Sequence, residues 1–469
     1  MKSLADTDPA LVVETTSGQA RGLVDRGVLN WRGIPYGRVV ERFRPAVPAQ
    51  PEARIEATAW GAVSWQVPMS LDPRAWSHLL PGTTESEACL NLNIWAPRPD
   101  APRPVLVWLH PGRHMIGGNM PTADPWIFAA RYDVIIVTAS YRLGPWGWLH
   151  LQTVDPSFDD CVNLGARDQL LLLRWVRDNI SQFGGDAGNV TLVGLSTGGC
   201  DAAALLGVPA ASGLFHKAAI YSGDAEHPVT EADASAFATR FVDAAKALDG
   251  SAGDLATAAN VALRHVHRQL LRTGGVLYEP VIDGNTFPQP PLDLIDAGLS
   301  TDVPVLVSVT SDEARALDIL SPRAIDDRYA AVPDANPSAS HDEKIEALSR
   351  LLFVEPSARL LGAVDRAGGR CWAQVLDYLP TTSILAKNPR SAGRPVHASD
   401  GAALFFDVAG TDGNETDRIV CAREQQALIS LARDGELPWD RYTAGTLGAQ
   451  WFGQTSTPGS PLLPLPGFR

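Results

Sequence analysis

The stretch Val-Gly-Leu-Ser-Thr-Gly-Gly at residues 193–199 constrains the fold of this chain more than any other. A β-prone run precedes it, and an Ala- and Leu-rich run that favours a helix follows. A serine on a sharp strand-to-helix turn sits in a strained backbone conformation that small neighbours permit, here Gly194 and Gly198. Because such a turn exposes its hydroxyl group, Ser196 is the candidate nucleophile. Gly-x-Ser-x-Gly also occurs by chance and in ordinary turns, so the residues downstream decide its meaning.

A serine nucleophile needs a histidine to take its proton and a carboxylate to orient that histidine. In α/β-hydrolases the chain order is serine, acid, histidine. The apolar run 303–309 predicts a buried strand, and Asp312 and Glu313 follow it closely. His397 lies on a loop flanked by Gly and Pro, beyond the strand-like run 371–376. The pattern favours His397 as the base and one of the two neighbouring acids as its partner.

Apolar runs that alternate with helical patterns predict an α/β fold with a central, mostly parallel sheet covered on both faces. Two Ala-rich helical inserts, at about 230–271 and 315–369, are expected above the strand ends as a cap that shapes a pocket. We expect the whole chain, 1–469, to form a single domain. The apolar runs are 105–109, 134–139, 190–193, 218–221 and 303–309.

Further blocks are spread over nearly the whole chain: 33–36, 41–45, 86–93, 141–145, 163–169, 183–186, 213–218, 280–284 and 439–442. On these blocks and the serine turn, the chain resembles the type-B carboxylesterases, which include cholinesterases and bacterial p-nitrobenzyl esterases. The resemblance implies an α/β-hydrolase fold and ester hydrolysis. It also assigns a catalytic triad of Ser196, Glu313 and His397, with Asp312 one place before the family's acid.

The largest departure from the family is at the oxyanion hole, where His-Gly-Gly-Gly-Phe is replaced by the sequence His-Pro-Gly-Arg-His at 110–114. By position, the backbone amides of Gly112, Arg113 and Thr197 are the expected oxyanion donors. Two interpretations of the arginine side chain stay open. It points to solvent or pairs with an acid, or its guanidinium group enters the pocket and binds a substrate carboxylate. His114 is a further candidate pocket residue.

Three other residues near the predicted site are expected to shape or support it. Leu195 replaces the acid of the family's common Gly-Glu-Ser-Ala-Gly turn, which argues against choline esters and predicts a more apolar pocket floor. Ser222 follows a strand-like run and is expected to donate a hydrogen bond to Glu313. Asp400 is expected to fix the histidine loop rather than to transfer protons.

Composition excludes several function classes. The net charge of −14 and the lack of a basic block argue against a nucleic-acid partner. No dinucleotide or phosphate loop and no Cys/His ligand spacing is present, so neither a cofactor nor a metal is expected. The five cysteines suggest no disulfide framework. Without a signal-like start or a run of about 20 apolar residues, we expect no membrane contact and a cytoplasmic, bacterial-type protein.

The sequence therefore predicts a serine hydrolase that cleaves a small-molecule carboxylic ester through an acyl-enzyme intermediate. One alternative keeps the triad but transfers the acyl group to an alcohol, an amine or an internal hydroxyl group, as in a lactone-forming biosynthetic step. A second alternative is a catalytically idle binding protein, which the altered oxyanion loop favours and the complete triad disfavours. The sequence specifies neither the natural ester nor the oligomeric state.

Overall fold

A computed structural model describes residues 8–67, 83–119, 125–248, 254–273, 275, 277–320, 322–405, 413–445, 448–453 and 463–464. The strands, in chain order, are β1 (Val12–Thr15), β2 (Gly18–Arg21), β3 (Leu23–Asp25), β4 (Val28–Pro35), β5 (Gly37–Arg38), β6 (Val47–Pro48), β7 (Glu52–Glu56), β8 (Asn91–Ala96), β9 (Arg103–Leu109), β10 (Ile135–Ala139), β11 (Gly185–Leu195), β12 (Lys217–Tyr221), β13 (Val305–Thr310), β14 (Cys371–Asp377), β15 (Gly448–Gly453) and β16 (Leu463–Pro464).

The helices are α1 (Trp126–Tyr132), α2 (Gly144–Trp148), α3 (Leu164–Asn179), α4 (Thr197–Leu206), α5 (Glu231–Ala247), α6 (Asn260–Thr273), α7 (Pro291–Asp296), α8 (Arg315–Leu320), α9 (Pro322–Tyr329), α10 (His341–Ser349), α11 (Glu355–Arg366), α12 (Ser399–Leu404) and α13 (Glu415–Asp434). A π-helical turn, Arg350–Val354, joins α10 to α11. Among the described residues, none of these helices is both long and apolar enough to cross a bilayer.

The chain divides into two compact units. The first comprises Met1–Val190, Val208–Leu214 and His227–Pro290, and the second comprises Thr191–Gly207, Phe215–Glu226 and Pro291–Arg469.

In the first unit, β3, β4, β8 and β10 pair antiparallel in that order, and β9 pairs parallel with β10. Every residue of β8 and β10 is buried. This unit contains a buried ion pair: the Arg142 guanidinium lies 2.7 Å from the Asp168 carboxylate, and both side chains are almost fully buried. Asp168 belongs to α3, which is followed by a 3₁₀ turn closed by Gly184 at φ 84°.

In the second unit, the end of β11 and the strands β12, β13, β14 and β15 pair parallel in that order. Parallel strands covered on both faces read as continuous apolar runs, and β13 is buried at every position. Since the carboxyl ends of parallel strands lie at one edge of a sheet, the segments that follow β11, β12 and β13 are brought together at that edge.

These strands agree with the sequence prediction of apolar runs in a mostly parallel sheet. Both predicted inserts are largely helical, with α5 and α6 in the first and α8 to α11 in the second. Their role as a cap, like the single-domain boundary 1–469, stays a prediction.

All five cysteines are among the described residues, all are buried, and none forms a disulfide. Burial raises the pKa of the Cys89, Cys161 and Cys371 thiols to about 12. Because the thiolate is the reactive form, we expect these groups to react slowly in the folded protein at neutral pH.

We therefore expect iodoacetamide at about pH 8 to add no mass to the native protein and to modify all five cysteines after denaturation. Intact-protein mass spectrometry measures the adducts, and glutathione in the same tube confirms that the reagent is active. Rapid modification of one cysteine in the native state would contradict the burial described above.

Candidate active site

Ser196 occupies the turn between β11 and α4 with φ 56° and ψ −125°, a strained conformation for a residue with a side chain. Its amide donates to the carbonyl oxygen of Tyr221 over 2.8 Å, which ties the turn to the end of β12. Glycine is required nearby, since a Cβ atom on Gly194 would lie 2.0 Å from the carbonyl oxygen of Gly198. The strand and the helix can therefore approach closely enough to hold the serine at the tip of the turn.

The side chains of Ser196, His397 and Glu313 form a continuous hydrogen-bonded row. His397 Nε2 lies 2.7 Å from Ser196 Oγ, and its Nδ1 lies 2.7 Å from Glu313 Oε2. The Glu313 side chain is fully buried, whereas that of His397 is 19 % exposed. A neutral imidazole with its proton on Nδ1 can donate to the carboxylate and accept the serine proton at Nε2.

Asp312, the alternative acid in the sequence, faces other partners. Its carboxylate bonds to the Arg315 guanidinium and lies 3.2 Å from that of Arg394. Both acids follow the end of β13, and their carboxylates contact different partners. The structure therefore brings Glu313, and not Asp312, to the histidine.

Ser222 and Asp400 form a hydrogen-bonded cluster with Glu313. Ser222 Oγ is 2.7 Å from Glu313 Oε1 and 3.2 Å from Asp400 Oδ2. Burial, and then the charge of Glu313, raise the pKa of Asp400 to about 7. The predicted contact between Ser222 and the acid is present in the structure, and Asp400 belongs to the same buried cluster.

Leu195 and Thr197 flank the serine and are both buried. A Cβ atom on Gly401 would lie 2.6 Å from a methyl group of Leu195, so the leucine packs closely against α12. Thr197 is the first residue of α4, and helix N–H groups point toward the helix start.

The other predicted oxyanion residues lie in the first unit. Gly112 has φ 134°, and the two residues after it, Arg113 and His114, both have φ 54°. The Arg113 side chain is exposed. His114 is buried, lies 2.6 Å through Nδ1 from the Tyr278 carbonyl oxygen, and stacks on Trp148. Its Nδ1 also lies 3.6 Å from Glu279. Burial raises the pKa of Glu279, but the hydrogen bonds and charges of His114 and His227 outweigh burial and lower this pKa to about 2.

A scan against protein families matches the carboxylesterase family over residues 9–320, about two thirds of the chain. Over 458 residues the chain is 38% identical to the para-nitrobenzyl esterase of Bacillus subtilis (strain 168), covering 90% of both proteins. It belongs to the carboxylesterase family. The chain is also 34% identical to the phenmedipham hydrolase of Pseudarthrobacter oxydans over 64% of its own length and 61% of that protein.

Solved structures give the same result for the fold. A para-nitrobenzyl esterase structure superposes with a TM-score of 0.82 at 30% identity, covering 95% of this chain and 96% of that one. A Geobacillus stearothermophilus carboxylesterase gives a TM-score of 0.81 at 30% identity over 95% and 97%. The predicted α/β-hydrolase fold is confirmed, and the chain is a carboxylic ester hydrolase.

One contact of the histidine in this carboxylesterase was not predicted from its sequence. The Phe353 ring lies 4.9 Å, centroid to centroid, from the His397 imidazole. Phe353 belongs to the π-helical turn, in which the Glu355 amide donates to the Arg350 carbonyl oxygen. The signal in the sequence is Pro356, which lacks the N–H group that would bond to the carbonyl four residues earlier and so favours a local irregularity.

The helical segment that carries Phe353 is also attached to the segment that follows Glu313. The Ala314 amide donates to Ser349 Oγ over 2.9 Å, directly before the π-helical turn. Thus one helical segment contacts both the residue after Glu313 and the imidazole of His397. We expect this packing to limit rotation of the imidazole away from the serine.

We predict that Phe353→Ala lowers kcat on a p-nitrophenyl ester by about tenfold, because a loosened imidazole spends less time aligned with the serine. Leu352→Ala is the matched control, since this neighbouring side chain is 37% exposed, and it should stay within about twofold of the parent. Steady-state kinetics with folded variants make the comparison. Equal effects of the two substitutions would show that the aromatic ring has no special role.

Proposed function

We propose that this carboxylesterase hydrolyses esters through Ser196, His397 and Glu313 with a covalent acyl-enzyme intermediate. The observation that carries the proposal is the pair of 2.7 Å contacts of the imidazole, one to Ser196 Oγ and one to Glu313 Oε2. Esters of small alcohols such as p-nitrobenzyl alcohol are the proposed substrate class, in line with the printed name of the Bacillus subtilis relative.

In the proposed mechanism, His397 Nε2 takes the proton of Ser196 as its Oγ attacks the ester carbonyl carbon. The Glu313 carboxylate holds the imidazole orientation and stabilises the imidazolium that forms. The histidine then protonates the leaving alcohol, and a water molecule releases the acid by the reverse steps. The first proton transfer joins two groups already in hydrogen-bond contact, Ser196 Oγ and His397 Nε2.

The amide of Thr197, which directly follows the nucleophile, is the proposed oxyanion donor of the second unit. Gly112 and Arg113, the donors that the family resemblance implies, belong to the first unit, and their contribution stays a prediction. The same holds for binding of a substrate carboxylate by the Arg113 side chain.

A fluorophosphonate probe should add one adduct, on Ser196, in the native protein. Ser196→Ala should lose the adduct and lower kcat on a p-nitrobenzyl ester by on the order of 10³-fold or more. Peptide mass spectrometry locates the modification, and circular dichroism checks that the variant is folded. An adduct on a different serine, or full activity of Ser196→Ala, would refute the proposed nucleophile.

A second pair of variants tests the acid. Glu313→Gln should lower kcat by at least about tenfold, because the amide no longer stabilises the imidazolium. Asp312→Asn, the matched control one residue away, should leave kcat within about twofold, although loss of its arginine contacts should lower the melting temperature. The opposite order of the two effects on kcat would reassign the acid to Asp312.

Product analysis with an added alcohol or amine separates hydrolysis from acyl transfer. Release of free acid as the main product supports the hydrolase. A dominant new ester or amide would instead favour the transferase alternative.

A further inference from the structure

The Ser222 hydroxyl group lies between the carboxyl groups of Glu313 and Asp400. Its Oγ is 2.7 Å from Glu313 Oε1 and 3.2 Å from Asp400 Oδ2, and both acids are fully buried. A serine hydroxyl carries one hydrogen, so it can donate fully to only one of them. If both acids were ionised, one contact would join two oxygens with no hydrogen between them, which is costly without water.

The other contacts of the two acids are unequal. Glu313 accepts from the Thr310 amide over 2.7 Å and lies 2.7 Å from His397 Nδ1, so with Ser222 it faces three donors. Within the described part of the chain, the other hydrogen bond of Asp400 comes from the Gly401 amide over 3.0 Å. A carboxylate needs several donors when it is buried, and only Glu313 has them.

We propose that Asp400 is protonated in the resting enzyme and donates its hydrogen to Ser222, whose own hydrogen then points at Glu313. Asp400 is thus a positioning residue that acts through Ser222 and never touches the substrate. With Asp400 protonated, only Glu313 of these two acids carries a negative charge. The Ser222 hydrogen then stays in the bond to Glu313, the acid that orients His397. The kinetic part of this inference rests on the proposed function of Ser196, Glu313 and His397.

Neighbouring groups favour the neutral form. Burial, and then the charge of Glu313, hold the pKa of Asp400 above its usual range. The nearby His397 acts in the opposite direction but does not outweigh them. Glu424 faces the same cluster, and burial raises its pKa well above the usual value, with a further rise when Asp400 is ionised. Gln374 Nε2 donates to Glu424 Oε1 over 2.6 Å. Tyr221, another titratable group beside these acids, is fully buried, and burial raises its pKa as well.

Infrared spectroscopy of the full chain detects the proposed proton directly. A neutral carboxylic acid has a carbonyl band well separated from carboxylate bands, so the wild-type spectrum at about pH 6 should contain one band that Asp400→Asn lacks. Glu424→Gln is the matched control and should remove a different band. Ser222→Ala should shift the Asp400 band to higher frequency, because the acid loses its hydrogen-bond acceptor.

Kinetics provide the second readout. An asparagine amide can donate to Ser222 as the protonated acid does, so Asp400→Asn should keep kcat and KM within about threefold of wild type at pH 6. The sign of the pH effect follows from the raised pKa of Asp400, about 7. As pH rises through this range, Asp400 of the wild type loses its proton, whereas the asparagine amide keeps its hydrogens. The ratio of the variant's kcat/KM to that of the wild type should therefore rise about two- to tenfold.

Two results would overturn the proposal. The first is that the spectrum of Asp400→Asn lacks no neutral-acid band of the wild-type spectrum, and that Ser222→Ala shifts none. The second is a folded Asp400→Asn variant whose kcat falls more than about tenfold at every pH, which would show that the carboxylate is needed. If Asp400→Asn does not fold, two other infrared results decide the proposal. They are the shift of the neutral-acid band in Ser222→Ala and the loss of that band from the wild-type spectrum at high pH. Absent fluorophosphonate labelling would refute the proposed function but leave the infrared result intact.

Discussion

The site depends on the fully buried carboxylate of Glu313. An ionised carboxylate without water is stable only when hydrogen-bond donors replace its hydration. The structure supplies these donors from three places: the Thr310 amide at the end of β13, the Ser222 hydroxyl after β12, and the His397 imidazole. Because β12 and β13 pair in parallel, the Ser222 and Thr310 donors that follow or end these strands are held in fixed positions beside the carboxylate.

The second constraint is the backbone of Ser196. Its positive φ is unfavourable in isolation, and the turn is held by the hydrogen bond to Tyr221 and by the close approach that Gly194 permits. The strain places the hydroxyl group at the tip of the turn, 2.7 Å from His397 Nε2. The turn therefore places the Ser196 hydroxyl group within hydrogen-bond distance of the His397 imidazole.

The departures from the common family sequence divide into two kinds. Leu195 packs against α12 close to Gly401, so this replacement of an acid is absorbed by the core. In the altered loop at 110–114, Gly112, Arg113 and His114 have positive φ, and His114 is fixed by the Tyr278 carbonyl and the Trp148 ring. Arg113 beside it stays exposed, so the loop presents a charged side chain where the family usually has glycine.

Sequence alone determined the elements whose signals are local. The β-prone run, the glycines and the helix-prone run predicted the turn at Ser196, and the apolar runs predicted the parallel strands. It also left two neighbouring acids after β13, and only the family resemblance preferred Glu313. The tertiary structure decided which carboxylate faces the histidine and placed Asp400 against Ser222. It also placed Phe353 on the imidazole. Such contacts join residues far apart in the chain, so they depend on strand register and helix packing, which no local pattern specifies.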